Sequence, residues 1–318
     1  MQSEISTFLA RHYALDVHSC RRMTTGVGGD TFRVDTATGS YVFKIIKADA
    51  INHPEQEAEL CRFLRQKGVP ASEFLPNHQG ALCCPWDDTR LCHLQRFVDG
   101  QSFPMNTAPD WLMAESPLLL ARIHQALTAY PALPEGIGAG FFSHATPEFA
   151  LDSYKRSLSL ARERGEEDVA QALLLRMKAA EKIRGWHIDP NRLTCRSTHG
   201  DYTVNQILCK DGQVRAIIDW TSACVHPVVW ELVRSYVYVA PECAQGGFSQ
   251  ARLSDQVAAY TSVAPLNTYD REHLMDVYLY QLAVCDYYSQ YLHAAPHERL
   301  EFRQQADFAT RVLKCALL

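Results

Sequence analysis

Hydrophobic and polar positions along the chain change period in a way that separates a sheet-rich beginning from a helical remainder. Ile5, Phe8, Leu9 and Tyr13 fall at three- and four-residue spacing, which predicts a short amphipathic helix within residues 1–17 that packs on the first sheet. Tyr41 to Lys47 alternates with a period of two, the strand pattern, and carries Lys44 in its middle. A lysine inside such a strand is costly unless something pairs with it, so Lys44 asks for a carboxylate and a phosphate, whereas Lys47 at the strand end reaches water. Pro54 to Arg65 reads as a helix stopping before Gly68 and Pro70. Two more strand-like runs lie between Ala71 and Phe97, the second covering Leu91 to Val98. Beyond the polar linker of residues 102–110 the period becomes helical at Leu112 to Leu127. Two further helices are predicted over Phe149 to Ile183, split by a charged corner at residues 162–168.

One stretch departs from both periods. Residues 197–231 read STHGDYTVNQILCKDGQVRAIIDWTSACVHPVVWE, with Asp211-Gly212 between two short apolar runs. Both turn positions tolerate positive φ, so the pattern is a two-strand hairpin. Such a hairpin carries its flanking loops to one end and draws together Asp201, Asn205 or Gln206, and Asp219. Two carboxylates and an amide suit a hard divalent cation such as Mg²⁺, which takes few protein oxygens and completes its shell with water and phosphate.

Composition narrows the class. The chain has 318 residues, 47% of them hydrophobic and 21% charged, which describes an ordinary globular protein of about two domains. A net charge of −5 argues against nucleic acid as a partner. Eleven cysteines, an odd number without a C-x-x-C pair, no signal-peptide pattern and no membrane-length apolar run point to reduced thiols in a cytoplasm. Cys83, Cys84, Cys92 and His93 lack zinc-ligand spacing, so buried strand cysteines are the simpler reading.

Thr25 to Val34 is a glycine-rich turn between extended segments, and Gly26, Gly28 and Gly29 let backbone approach phosphates. It is not a Rossmann fingerprint, because Thr31 stands where the third glycine belongs. No Walker Gly-Lys-Ser/Thr occurs in the chain. Strand, glycine turn, strand and a lysine strand is the order used by kinases.

His199-Gly200-Asp201, an amide five positions later, and Ile217-Ile218-Asp219-Trp220 together resemble the aminoglycoside phosphotransferase and choline kinase family. The resemblance covers nearly the whole chain. It implies an α+β, two-lobed protein-kinase-like fold: a small nucleotide-binding lobe over residues 1–98, with an antiparallel sheet and one helix, and a large helical lobe over 99–318 holding the catalytic hairpin and acceptor site. It implies transfer of the γ-phosphate of ATP or GTP, with Mg²⁺, to a hydroxyl of a small acceptor. Asp201 would be the catalytic residue that orients that hydroxyl. Asp219 and Gln206 would hold the metal, with Asn205 as the competing amide, since the family's asparagine position falls on Gln206. Glu57 would fix Lys44, with Glu55 and Glu59 as competitors. Gly26 to Gly29 would close over the phosphates, and the backbone of Gln95, Phe97 and Val98 would meet the base. His199 would support the loop, and His124 reads as structural.

The family usually carries Asp where Glu231 stands, which leaves the role of Glu231 open. The interval after Asp219 is too short for the peptide-binding segment of a protein kinase, which favours a small-molecule acceptor. Tyrosines and acids crowd the last third, a combination suited to an amine-bearing acceptor as well as to an ordinary helical core; Asp276 and Asp286 are the acids singled out. An aminoglycoside or other amino alcohol is one acceptor class, with choline or ethanolamine, homoserine and sugars as alternatives. A catalytically silent nucleotide-binding module is the alternative of another kind. No membrane association and no obligatory protein partner are expected.

Overall fold

The computed structural model describes residues 1–23, 29–48, 55–133, 146–296 and 298–318. Gly26 and Gly28 lie outside the described residues. The chain divides into two units, Met1–Ser102 with Gln206–Thr221, and Phe103–Asn205 with Ser222–Leu318.

The first unit opens with helix α1 (Gln2–Tyr13) and strands β1 (Val17–Arg22), β2 (Gly29–Thr36) and β3 (Gly39–Lys47). Helix α2 (Gln56–Gln66) and strands β4 (Phe74–Leu75), β5 (Cys84–Pro85) and β6 (Arg90–Arg96) follow. The strands form one sheet in the order β1-β2-β3-β6-β4, with β5 also on β6, and every pairing is antiparallel. Helix α1 ends at Tyr13, short of residue 17, because Ala14 turns left-handed at φ 53 and Leu15 N–H returns to the Leu9 carbonyl. Its Ile5 and Leu9 enter a core with Phe32, Val34, Phe43, Ile45 and Leu94, while Phe8 packs its ring on Phe43 and Trp86. Alternation along β3 puts Tyr41, Phe43 and Ile45 into that core and sends Lys44 to the other face, while Lys47 is exposed.

Gly29 has a packing reason of its own. A Cβ there would stand 2.7 Å from the Ile45 carbonyl oxygen, so only glycine lets β2 lie this close to β3.

The predicted hairpin is β8 (Ile207–Lys210) with β9 (Gln213–Ile217). Asp211 and Gly212 adopt φ 53 and 72, the double positive φ of the expected turn. The sequence reading left this hairpin in the lobe beginning at residue 99, but it groups with the first unit. Main-chain bonds explain the grouping: Ile217 N–H donates to the Pro70 carbonyl, and Gln101 exchanges bonds with Cys209.

The second unit is helical. It contains α3 (Asp110–Leu127), α4 (Pro147–Glu163), α5 (Glu167–Ile183) and strand β7 (Cys195–Thr198), which pairs with β10 (Cys224–Pro227). Helices α6 (Val228–Val239), α7 (Gln250–Thr261), α8 (Thr268–Glu272), α9 (Leu274–Val284), α10 (Tyr287–His293) and α11 (Arg299–Leu317) complete it. All twelve residues of α6 are buried, which makes it the axis of this unit. Most of the late tyrosines are core: Tyr236, Tyr260, Tyr278 and Tyr288 are almost wholly inaccessible. The eleven cysteines are free thiols. Among the described residues no helix is long and apolar enough to cross a membrane, and no group of three His, Cys, Asp or Glu could hold a metal ion.

Candidate active site

In the first unit the site is built around Lys44. Its Nζ stands 3.3 Å from Asp219 Oδ1, with the lysine largely buried and the aspartate half-exposed. Asp219 sits at φ 61, a conformation aspartate tolerates better than most residues, and Thr221 donates its hydroxyl to Oδ1 at 2.7 Å. The direct partner of Lys44 is thus Asp219 rather than Glu57. Glu57 nevertheless belongs to the cluster. It is the buried acid of α2's first turn, where Glu55 and Glu59 are exposed, and it accepts the Trp220 N–H at 3.2 Å. Burial drives the Glu57 carboxyl up to about 7 against the pull of Lys44, and Asp219 adds to the rise. Burial also works against the charge on Lys44, but Asp219 and Glu57 outweigh it and leave its pKa raised. His93, opposite Lys44 in the β3–β6 register, is buried and pushed down to about 3 by burial and by the lysine charge, so it is neutral.

Gln206 ends a short 3₁₀ turn, Val204–Gln206, and its carbonyl accepts the Ile218 N–H at 2.9 Å. That bond brings the backbone of Gln206 beside the residue that precedes Asp219. Gln206 is half-buried, whereas Asn205 is exposed and groups with the other unit. Of the run expected to meet a base, Gln95 is paired within the sheet to Val42 and Phe74. The Phe97 N–H is already given to the Ser40 carbonyl, and Arg33 lies over its ring at 4.2 Å. Phe97 can therefore offer a nucleotide only its carbonyl, and Val98 follows it half-buried at the end of the run.

In the second unit the loop after β7 carries Asp201. Gly200 has φ +78, and a Cβ on it would fall 1.9 Å from the Ser222 carbonyl oxygen, so this position admits only glycine. The loop's backbone hangs on one buried acid. Glu231 accepts the His199 N–H at 3.3 Å on Oε2 and the Tyr202 N–H at 3.4 Å on Oε1. Its Oε2 also meets His124 Nε2 at 2.8 Å, and His124 Nδ1 contacts the Tyr260 hydroxyl at 2.7 Å. Burial opposes the charge on Glu231, but the bond to His124 and the nearby His199 and His226 hold its carboxyl down at about 2. The open question about Glu231 has a structural answer: it is the loop's anchor, and His124 is the anchor's support. His199 serves the loop as expected, with Nδ1 accepting the Asp201 N–H at 3.2 Å.

Asp201 itself meets a group that the sequence reading did not name. Arg234 Nη1 stands 2.6 Å from Asp201 Oδ1, and the guanidinium is buried beside the rings of Trp230 and Tyr238. The signal was available: an arginine inside the apolar run of residues 228–239 needs a partner as much as Lys44 does. Asp276 pairs with His273 at 2.9 Å and is exposed to solvent on one side. Asp286 accepts the Ser153 hydroxyl at 2.5 Å through Oδ2, while its Oδ1 is buried with no partner among the described residues.

A model of the phosphotransferase enzyme family (APH) matches residues 19–266. The chain belongs to that family. It is a phosphotransferase acting on an alcohol group. Among solved structures it is similar to a spectinomycin phosphotransferase in complex with ADP and spectinomycin, at 14% identity and TM-score 0.66, over 99% of this chain and 98% of that one. It is also similar to an amicoumacin kinase in complex with AMP-PNP, Ca²⁺ and Ami, at 12% identity and TM-score 0.67, over 97% and 92%. A microcompartment-associated aminopropanol kinase aligns at 15% identity and TM-score 0.62, over 98% and 95%. At these identities the likeness establishes the two-lobed, kinase-like α+β fold. No curated protein matches the sequence.

Proposed function

We propose that this phosphotransferase is a small-molecule kinase that moves the γ-phosphate of ATP or GTP to a hydroxyl of a small, amine-bearing acceptor. The observation that carries the reading is the ion pair of buried Lys44 with Asp219, reinforced by Glu57. A buried lysine held by carboxylates is a fixed positive charge, and phosphoryl transfer is catalysed mainly by positioning and by neutralising phosphate charge. Asp219 and Gln206 offer hard oxygen donors, a partly exposed carboxylate and a side-chain amide, which fit Mg²⁺. When bound, that cation supplies neutralisation of the phosphates. Lys44 adds to it, and the Phe97 carbonyl and the Val98 backbone are the groups left to meet the base, since Gln95 is paired on both sides within the sheet.

Asp201 orients the acceptor hydroxyl and receives its proton as the new P–O bond forms. The first unit then serves the nucleotide and the second the acceptor. Asp286 supports the amine on the acceptor: its buried, unpartnered Oδ1 is what an ammonium group would satisfy. Asp276, already paired with His273, adds nothing to that argument. The similarity to a spectinomycin phosphotransferase and to an aminopropanol kinase agrees with this class. The enzyme works in the cytoplasm without an obligatory protein partner.

The test is Mg²⁺-dependent turnover of ATP and GTP against a panel of amino alcohols and aminoglycosides. Asp201→Ala is expected to abolish transfer while nucleotide affinity stays within about twofold, since only positioning of the acceptor is lost. Full activity in a folded Asp201→Ala protein rejects the assignment. Tight nucleotide binding by the wild type with no transfer to any acceptor would point to a silent binding module instead.

A further inference from the structure

Helix α6 sends two charged side chains, one turn apart, to the same loop. Glu231 and Arg234 are three residues apart and so share a face. Glu231 binds main-chain amides at His199 and Tyr202, whereas Arg234 binds the side chain of Asp201. Anchoring the loop therefore does not require Arg234. The loop brings no cation of its own, since residues 199–206 contain no lysine or arginine.

We propose that Arg234 is a positioning residue for the transfer reaction, clamping Asp201 Oδ1 so that Oδ2 is presented to the acceptor hydroxyl. This rests on the reading of Asp201 given above. The guanidinium is itself held in place. Its carbon lies 5.4 Å from the Trp230 ring and 4.8 Å from the Tyr238 ring, the side chains four residues before and after it on α6. Flanked in this way, the side chain has little rotamer freedom to lose, and its contact at 2.6 Å passes that rigidity to the carboxylate. Burial disfavours the charge on Arg234, and Asp201 more than restores it. The other titratable groups in its surroundings are Tyr238 on α6, Tyr287 at the head of α10, Tyr278 on α9 and His226 on β10, so the carboxylate that answers the guanidinium is Asp201.

The test compares Arg234→Met and Arg234→Lys with the wild type, using phosphate release from Mg·ATP and Mg·GTP to water and transfer to the best acceptor of the panel. Arg234→Met is expected to lower kcat about 10- to 100-fold with the nucleotide KM within twofold, and Arg234→Lys to recover part of the loss. Thermal melting separates positioning from packing. The inference is overturned if folded Arg234→Met keeps wild-type kcat. It is equally overturned if both variants lose kcat only in step with their melting temperature. Activity in Asp201→Ala, or no turnover by the wild type, removes the functional reading and the clamp with it. Normal behaviour of those two proteins with a silent Arg234→Met removes the clamp alone.

Discussion

Lys44 Nζ lies 3.3 Å from Asp219 Oδ1, joining the middle of a sheet strand to a residue 175 positions later that directly follows the hairpin. The pair forms because β3 turns Lys44 away from the aromatic core and β9 delivers Asp219 in a left-handed conformation. Lys44→Met keeps the aliphatic stem and removes the charge. It is expected to lower kcat/KM for the nucleotide by about 10²- to 10³-fold, the range seen when one preorganised electrostatic group is lost. Steady-state kinetics at varied ATP checks this. An unchanged kcat/KM would exclude Lys44 from the phosphate site.

Glu57 makes a pH-dependent contribution of known sign. Its carboxyl is pushed up to about 7 in the folded chain from an ordinary value of 4.5. Between those values the native state holds more protons than the unfolded state, so stability falls as pH rises through the window and levels off above it. Glu57→Gln removes this slope. The melting temperature of the nucleotide-free wild type, taken relative to Glu57→Gln, is expected to drop between about pH 4.5 and 7. A difference that stays flat across that range would show that Glu57 is charged throughout.

Much of this architecture was legible because local chemistry was explicit. Asp211-Gly212 announced a double positive-φ turn, and the alternation of Tyr41 to Lys47 announced both the strand and the stranded lysine. What the sequence hid were partners far apart along the chain. Nothing near His124 pointed to Glu231, 107 residues on, or to Tyr260. Arg234 is likewise a charge in a buried element that needs a partner, but that partner, Asp201, sits on a loop before the hairpin and away from α6 in sequence. The hairpin's grouping with the first unit rests on main-chain bonds to Pro70 and Gln101, which leave no side-chain signature.

Glu231 carries stability as well as loop geometry. Its carboxyl is held at about 2, below the ordinary 4.5, so its contribution is complete above about pH 4.5 and is lost as pH falls toward 2. Glu231→Gln leaves His124 and two amides facing a neutral amide whose N–H₂ cannot accept their hydrogen bonds. Leaving buried donors without their carboxylate acceptor costs about 1–3 kcal/mol each. Equilibrium unfolding in urea at pH 7 is the measurement, and a loss below about 1 kcal/mol would mean that the loop does not depend on this anchor. His124→Gln, which removes one of the partners, is expected to cost less than Glu231→Gln.

Gly200 offers the sharpest separation of geometry from chemistry, because the residue has no functional group to lose. Its backbone is left-handed at φ +78, and a methyl group there would overlap the Ser222 carbonyl at 1.9 Å. The clash is with main chain rather than with a flexible side chain, so relief requires the loop to move. A left-handed, non-glycine conformation costs about 1 kcal/mol, and the displaced backbone adds to it. Gly200→Ala is therefore expected to lower stability by about 2–4 kcal/mol. Because Asp201 is the next residue, kcat should fall by at least about 10²-fold in whatever fraction remains folded. Measuring both on the same preparation distinguishes the two effects. A variant that melts like the wild type and still turns over at the wild-type rate would show that the loop can adopt another path around Ser222.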